Sequence, residues 1–300
     1  MSRLAAALAL TLLAAPALAQ EAKRPTPAEV LKAAPAEHWR VPEPENLLYM
    51  TLPGGRVVIE LAPQFAPNHV ANIRVLAREG WYEGVMVVRV QDNYVTQWGW
   101  PEDRGEKPAK VGKLSLPPEF TVKGGAKSLP FAKLPDPDAY APEVGAVGSF
   151  PAARDPASGE AWMAHCYGIV GVGRGLPLDS GSGAELYVVI GHSPRALDRV
   201  ITLAGRVLKG MEHLAALPRG TGNLGFYEKP EQQAPITAVR LGSDVPEAER
   251  EPLQVLRSDS PTYAAWVEAR RQRKDDFFIL PAGRIDVCNA MPPVRRPPGS

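Results

Sequence analysis

Arg56-Val57-Val58-Ile59-Glu60-Leu61, Ala66-Pro67-Asn68-His69-Val70-Ala71-Asn72-Ile73, Met86-Val87-Val88-Arg89-Val90 and Tyr94-Val95-Thr96-Gln97-Trp98-Gly99 decide the fold. The first segment is rich in β-branched residues. With Leu48-Tyr49-Met50-Thr51-Leu52 and the turn Pro53-Gly54-Gly55 before it, it reads as strand, turn, strand. Residues 67–79 follow as a helix, because proline suits a first turn and Val70, Ile73 and Leu76 fall on one face. Gly80 ends it. The third and fourth segments read as strands around the bend Gln91-Asp92-Asn93.

Working outward, residues 101–145 are charged and rich in proline and glycine, and read as long loops. Glu185-Leu186-Tyr187-Val188-Val189-Ile190 is a strand, and Ser193-Pro194 opens a short helical turn. Residues 201–207 read as a strand, 209–217 as a short helix and 235–241 as a last strand. Ser260 can cap a helix starting at Pro261 and running past Trp266 and Val267 to about residue 274, with a solvated, charged end. Many strands with few helices predict a mainly β, mostly antiparallel barrel with helices covering its ends.

Hydrophobic residues make up 45% of the chain, enough for a real core. Lysine and arginine number 34 against 33 acidic residues, so the basic excess of a nucleic-acid binder is missing. Arg3, the apolar run 4–15 and Ala17-Leu18-Ala19 have the order of a cleavable export signal, residues 1–19, with cleavage expected after Ala19. No later run reaches the ~18–20 apolar residues of a membrane span, so no stable membrane insertion is expected. A periplasmic or secreted protein follows, with residues 20–46 as a flexible leader. The two cysteines, Cys166 and Cys288, suit a disulfide in an oxidising compartment; two buried thiols are the alternative. No CxxC or HxxxH spacing occurs, and neither metal nor cofactor is expected.

Residues 57–99 resemble the amino-terminal part of cyclophilins. In that family the corresponding stretch reads Gly-Tyr-Tyr-Asp-Gly, Phe-His-Arg-Val and Phe-Met-x-Gln-Gly-Gly. Here it reads Gly80-Trp81-Tyr82-Glu83-Gly84, Val87-Val88-Arg89-Val90 and Tyr94-Val95-Thr96-Gln97-Trp98-Gly99, with the interval from arginine to glutamine kept. A second block matches at Glu185-Leu186-Tyr187, Leu197-Asp198, Gly205-Arg206-Val207 and Gly210-Met211.

The resemblance implies a closed eight-stranded β-barrel capped by two helices, spanning residues 47–241. A long loop insertion at about 154–182 and an extension at 242–300 with one helix would be added to it. It also implies a peptidyl-prolyl isomerase acting on proline-containing segments of unfolded or exported proteins. Arg89 would be the catalytic arginine and Gln97 the residue orienting the substrate backbone. Tyr94, Val95, Tyr187, Ile201 and Leu203 would wall the proline pocket, Glu185 would lie by the groove, and Phe150 would stand in the segment that contacts the substrate backbone.

The chemistry suits these residue types. An X–Pro amide twists over a barrier of ~18–20 kcal/mol, and the twisted nitrogen regains a lone pair that a fixed cation can bind. Arginine stays protonated and presents a rigid fork of donors. The sequence departs from the family at Val88, Val95, Glu185, Ala196 and Ile201, which leaves a second reading: a catalytically weak chaperone or peptide-binding module. Two other readings fall away. The string Gly171-Val172-Gly173-Arg174-Gly175 lacks the spacing of a nucleotide loop and reads as a flexible loop. Ser182, between Gly181 and Gly183, lacks the frame of a hydrolase nucleophile.

Overall fold

The computed structural model describes residues 24–299, so the expected export signal lies outside the described residues. Helix α1 (Pro27–Lys32) and strand β1 (Trp39–Arg40) open the described chain, followed by β2 (Leu47–Leu52) and β3 (Gly55–Leu61). Next come α2 (Pro67–Arg78), β4 (Met86–Val90) and β5 (Val95–Gly99). The middle of the chain holds α3 (Gly125–Ser128), β6 (Phe131–Lys133), β7 (Glu143–Val147), β8 (Phe150–Asp155) and β9 (Glu160–Met163). Then follow β10 (Ile169–Val172), β11 (Leu186–Val189), β12 (Leu203–Lys209) and α4 (Met211–Ala215). The chain ends with β13 (Ala234–Pro235), β14 (Ala238–Leu241), β15 (Gln254–Leu256), α5 (Pro261–Arg271) and β16 (Val294–Arg295).

Nine strands form the main sheet in the order β13-β4-β5-β11-β10-β12-β3-β2-β14, every pair antiparallel. The edges β13 and β14 do not pair with each other, so this is an open, curled half-barrel and not the closed eight-stranded barrel that the resemblance implied. One stretch of chain spans the gap: the amide of Ile236 donates to Val85 at 3.2 Å and that of Thr237 to Thr51 at 2.9 Å. Alternation along the strands sends Leu48, Met50, Val57, Ile59, Trp98, Leu186, Val188 and Val170 into one apolar core.

Helix α2 closes one end of that core with Val70, Ile73 and Leu76. Its N-cap, Ala66, has no side-chain acceptor. Glu119 takes that role from the long loop, accepting from the amides of Asn68 at 3.1 Å and His69 at 2.9 Å and from His69 Nδ1 at 2.6 Å. Burial pushes the Glu119 carboxyl up, but the bonds from His69 and the two amides outweigh it and hold the group below the usual carboxylate range. A depressed pKa stabilises the fold above the ordinary range, and that contribution is lost as pH falls through the folded-state value. Glu119→Ala is therefore expected to cost about 1–2 kcal/mol at neutral pH. Melting curves of the two proteins should converge in acid, and a constant gap would contradict the cap.

The segments read as leader, insertion and extension are folded together. Thr26 and Glu29 form a reciprocal capping box at the start of α1. Arg40 of β1 pairs with the buried Glu60 at 2.6 Å, so the leader is docked where the sequence suggested flexibility. The stretch 101–145 read as long loops holds β6 and the start of β7, which with β8 and β9 make a second, four-stranded sheet. Within the insertion at 154–182, β9 belongs to that sheet and β10 to the main one. A second core joins these strands to α5 through Phe65, Phe150, Trp162, Tyr263, Trp266 and Val267. Ser260 caps α5 as expected, its hydroxyl accepting from Tyr263 N at 3.2 Å. The charged end of α5 is partly solvated, with Arg270 and Lys274 exposed, while Arg271 grips Asp136 through two bonds of 2.7 and 2.9 Å. A bridge joins Cys166 to Cys288 across 122 residues of sequence.

Candidate active site

Strands β4, β5, β11 and β10 lie side by side, and their register aligns four residues in one row. Arg89 stands opposite Gln97, Gln97 opposite Tyr187, and Tyr187 opposite Gly171. Residues two apart on a strand share a face, which brings Val95, Glu185 and Val189 to the same side. A register shift in β4 between Val87 and Arg89 places the arginine in this row.

The guanidinium is held from several sides. Its Nη1 donates to Gln97 Oε1 at 2.9 Å, its Nε to the Leu224 carbonyl at 2.6 Å and its Nη2 to Gln91 Oε1. The rings of Tyr94 and Phe226 lie 5.5 and 5.2 Å from its central carbon. Burial lowers its pKa, opposed by the charges facing it, but a guanidinium starts so high that it stays a cation. Three of its five N–H donors are engaged by these bonds, which leaves two to offer a ligand.

Gln97 passes the chain of bonds on. Its amide oxygen accepts from Arg89 and its nitrogen donates to Glu185 Oε1. These two bonds fix the orientation of the amide. Burial raises the pKa of Glu185, the Gln97 bond and Arg89 opposing it only in part. An ionised Glu185 therefore costs stability above its raised folded-state pKa. Glu185→Gln keeps an acceptor for Gln97 and is expected to be more stable at neutral pH, by about 1 kcal/mol or less. Thermal melts across pH should show that advantage disappearing as pH falls toward the ordinary carboxylate range. An advantage independent of pH would contradict it.

Beside this polar line, Val95, Tyr187 and Val189 form a small apolar cluster against which Tyr94 and Ile201 pack. Tyr187 turns its hydroxyl away from solvent to His165 Nε2, 3.0 Å off. Burial pushes that hydroxyl's pKa far up, so it stays protonated. A cleft of about 380 Å³ opens next to Glu185, bounded by Val88, Trp100 and the segment 226–230.

Arg89, Tyr94, Val95, Gln97, Glu185, Tyr187 and Ile201 are thus brought together. Phe150 is not: it sits in the second core, edge-to-face with Phe65 at 6.2 Å. Leu203 also packs into that second core, beside Phe65 and Trp162. The glycine string holds the place by the groove that the sequence reading gave to Phe150. Gly171 ends nearly in contact with the Tyr187 ring, where a Cβ would fall 2.2 Å from Tyr187 Cζ. A Cβ on Gly173 would fall 2.9 Å from Glu185 Cγ. Part of the string is strand β10, so the flexible loop of the sequence reading is corrected. The signal was present: Ile169, Gly171 and Gly173 alternate with Val170 and Val172 at the period of a strand.

A family model described as cyclophilin type peptidyl-prolyl cis-trans isomerase/CLD matches residues 47–241. A protein of Brucella suis named "Probable peptidyl-prolyl cis-trans isomerase" is 40% identical over 88 residues, 26% of this chain and 45% of that one. The chain thus spans about half the length of such curated relatives. Peptidyl-prolyl cis-trans isomerase B of Bacillus subtilis is 29% identical over 168 residues, 56% of this chain and 86% of its own. The crystal structure of cyclophilin AquaCyp293 from Hirschia baltica superposes with a TM-score of 0.65 at 28% identity, covering 79% of this chain and 89% of that one.

Proposed function

From the premise that this chain belongs to the cyclophilin-type peptidyl-prolyl cis-trans isomerase family, we propose that it catalyses cis–trans isomerisation of X–Pro bonds in proline-containing protein segments. The observation that carries the reading is the Arg89–Gln97 bond of 2.9 Å beside the apolar cluster of Tyr94, Val95, Tyr187 and Ile201. The proline ring sits in that cluster, and Gln97 holds the peptide backbone. Arg89 donates to the prolyl nitrogen as the amide twists and its lone pair localises. A planar amide offers no such lone pair, so the bond favours the twisted state over both ground states. Fixed charge in a partly dry site needs no rearrangement at that moment.

Its substrates, on this proposal, are exported proteins. The amino-terminal sequence supports that compartment, and so does the Cys166–Cys288 bridge, which suits an oxidising one. A second reading, a peptide-binding module without turnover, is favoured by one observation: Leu224 and Gln91 already occupy donors of Arg89. A protease-coupled assay on short X–Pro peptides with varied X separates the two. Acceleration above the spontaneous rate supports the isomerase. Binding without acceleration for every X assigns the binding module.

A further inference from the structure

We propose that His165 and Asp198, backed by Arg195 and Asp138, are positioning residues that lock Tyr187 as the wall of the proline pocket. The inference rests on the isomerase reading and adds a device to it.

His165 is wholly buried between β9 and β10 and has no part in the chemistry above. Its Nε2 lies 3.0 Å from the Tyr187 hydroxyl, and its Nδ1 lies 3.2 Å from Asp198 Oδ1. An ionised carboxylate can only accept, so Nδ1 carries the hydrogen and Nε2 accepts from the tyrosine. The same Asp198 oxygen accepts from the His165 amide at 2.9 Å, which fixes the backbone as well as the ring. Arg195 Nε donates to the other Asp198 oxygen at 2.7 Å. The Arg195 fork then grips Asp138 with bonds of 2.9 and 3.0 Å. All four side chains are nearly sealed from solvent.

The line therefore runs from the long segment between β6 and β7, through the 3₁₀ turn Arg195–Leu197, to the pocket. On its other side the ring of Tyr187 lies against the backbone of Gly171. A tyrosine hydroxyl buried without a partner is costly, and the ring would rotate to find one. Without His165, Tyr187 would leave the position that faces Val95 and Ile201. A phenylalanine at 187 has no hydroxyl to satisfy and would keep its place by packing alone.

That difference supplies the test, a double-mutant cycle read in kcat/KM and in peptide Kd. His165→Leu is expected to lower kcat/KM, and to weaken peptide binding, by about tenfold in the presence of Tyr187. In the Tyr187→Phe background the same change should cost less than about twofold. If His165→Leu does not fold, His165→Gln replaces it, since its amide can reach the Tyr187 hydroxyl; a smaller loss, again removed by Tyr187→Phe, is expected. Equal losses in both backgrounds, or none with Tyr187 present, would overturn the positioning role. No acceleration by the wild type, with the Kd pattern intact, would overturn the isomerase reading alone. Neither turnover nor peptide binding would overturn both.

Discussion

Arg89→Ala is expected to lower kcat/KM toward X–Pro peptides by about 10²–10³-fold, the scale seen when one charge-stabilising donor is removed from a polar site. The fold should survive, because Arg89 lies at the rim of the main core and its neighbours Gln97 and Tyr94 keep other contacts. The loss should fall on kcat more than on KM, since the bond to the prolyl nitrogen exists only in the twisted state. Arg89→Lys should recover little. It keeps the charge but cannot reach Gln97, Gln91 and the Leu224 carbonyl at once with a planar fork. Steady-state kinetics beside a thermal melt check this. A loss below about threefold with an unchanged Tm would remove Arg89 from the chemistry.

The second large effect concerns stability. Cutting the Cys166–Cys288 bridge by reduction, or by Cys288→Ala, releases a loop with a sequence separation of 122 residues. On the chain-entropy account a loop of that length is worth about 4–5 kcal/mol. For a chain of this size the fall in Tm should be about 7–8 °C. The bridge sits in the second core, where Cys166 leads into β10 and Cys288 follows Val287 into the same apolar cluster. Calorimetry with and without reductant measures it. A Tm unchanged by complete reduction would show that packing of α5 and β8 alone holds the extension.

The residues brought together at the site were legible where the argument was local. The interval from Arg89 to Gln97 is set within one hairpin, and its match to the cyclophilin interval is what brought both residues into the candidate site. The strand carrying Glu185 and Tyr187 was clear from the residues, and their place at the site came from its match to the cyclophilin pattern. Phe150 and the glycine string were misplaced for a non-local reason. Which strand lies against β11 is decided by pairing between residues 170–172 and 186–188, and composition makes glycine look like loop. Only the close approach of the Tyr187 ring explains why position 171 carries no side chain.

The closed barrel failed for a related cause. Its closure would depend on the short strands β13 and β14, whose partners lie about 150 and 190 residues away in sequence and leave no local trace. The docked leader was readable in part, since Thr26-Pro27-Ala28-Glu29 is a capping box in plain sequence. Its docking was not, because it depends on α5, more than two hundred residues on. His165 illustrates the same limit. Beside Cys166 it reads as a neighbour of a disulfide, and only the fold carries Tyr187 and Asp198 to its two nitrogens.

The central claim is turnover at the Arg89–Gln97 row, and NMR exchange spectroscopy on a short X–Pro peptide tests it most directly. With catalytic amounts of the protein, cross-peaks linking the cis and trans proline resonances should appear on a timescale far below the tens to hundreds of seconds of the uncatalysed bond. They should vanish with Arg89→Ala at equal concentration. Exchange no faster than in the free peptide, or equally fast with Arg89→Ala, would contradict the account.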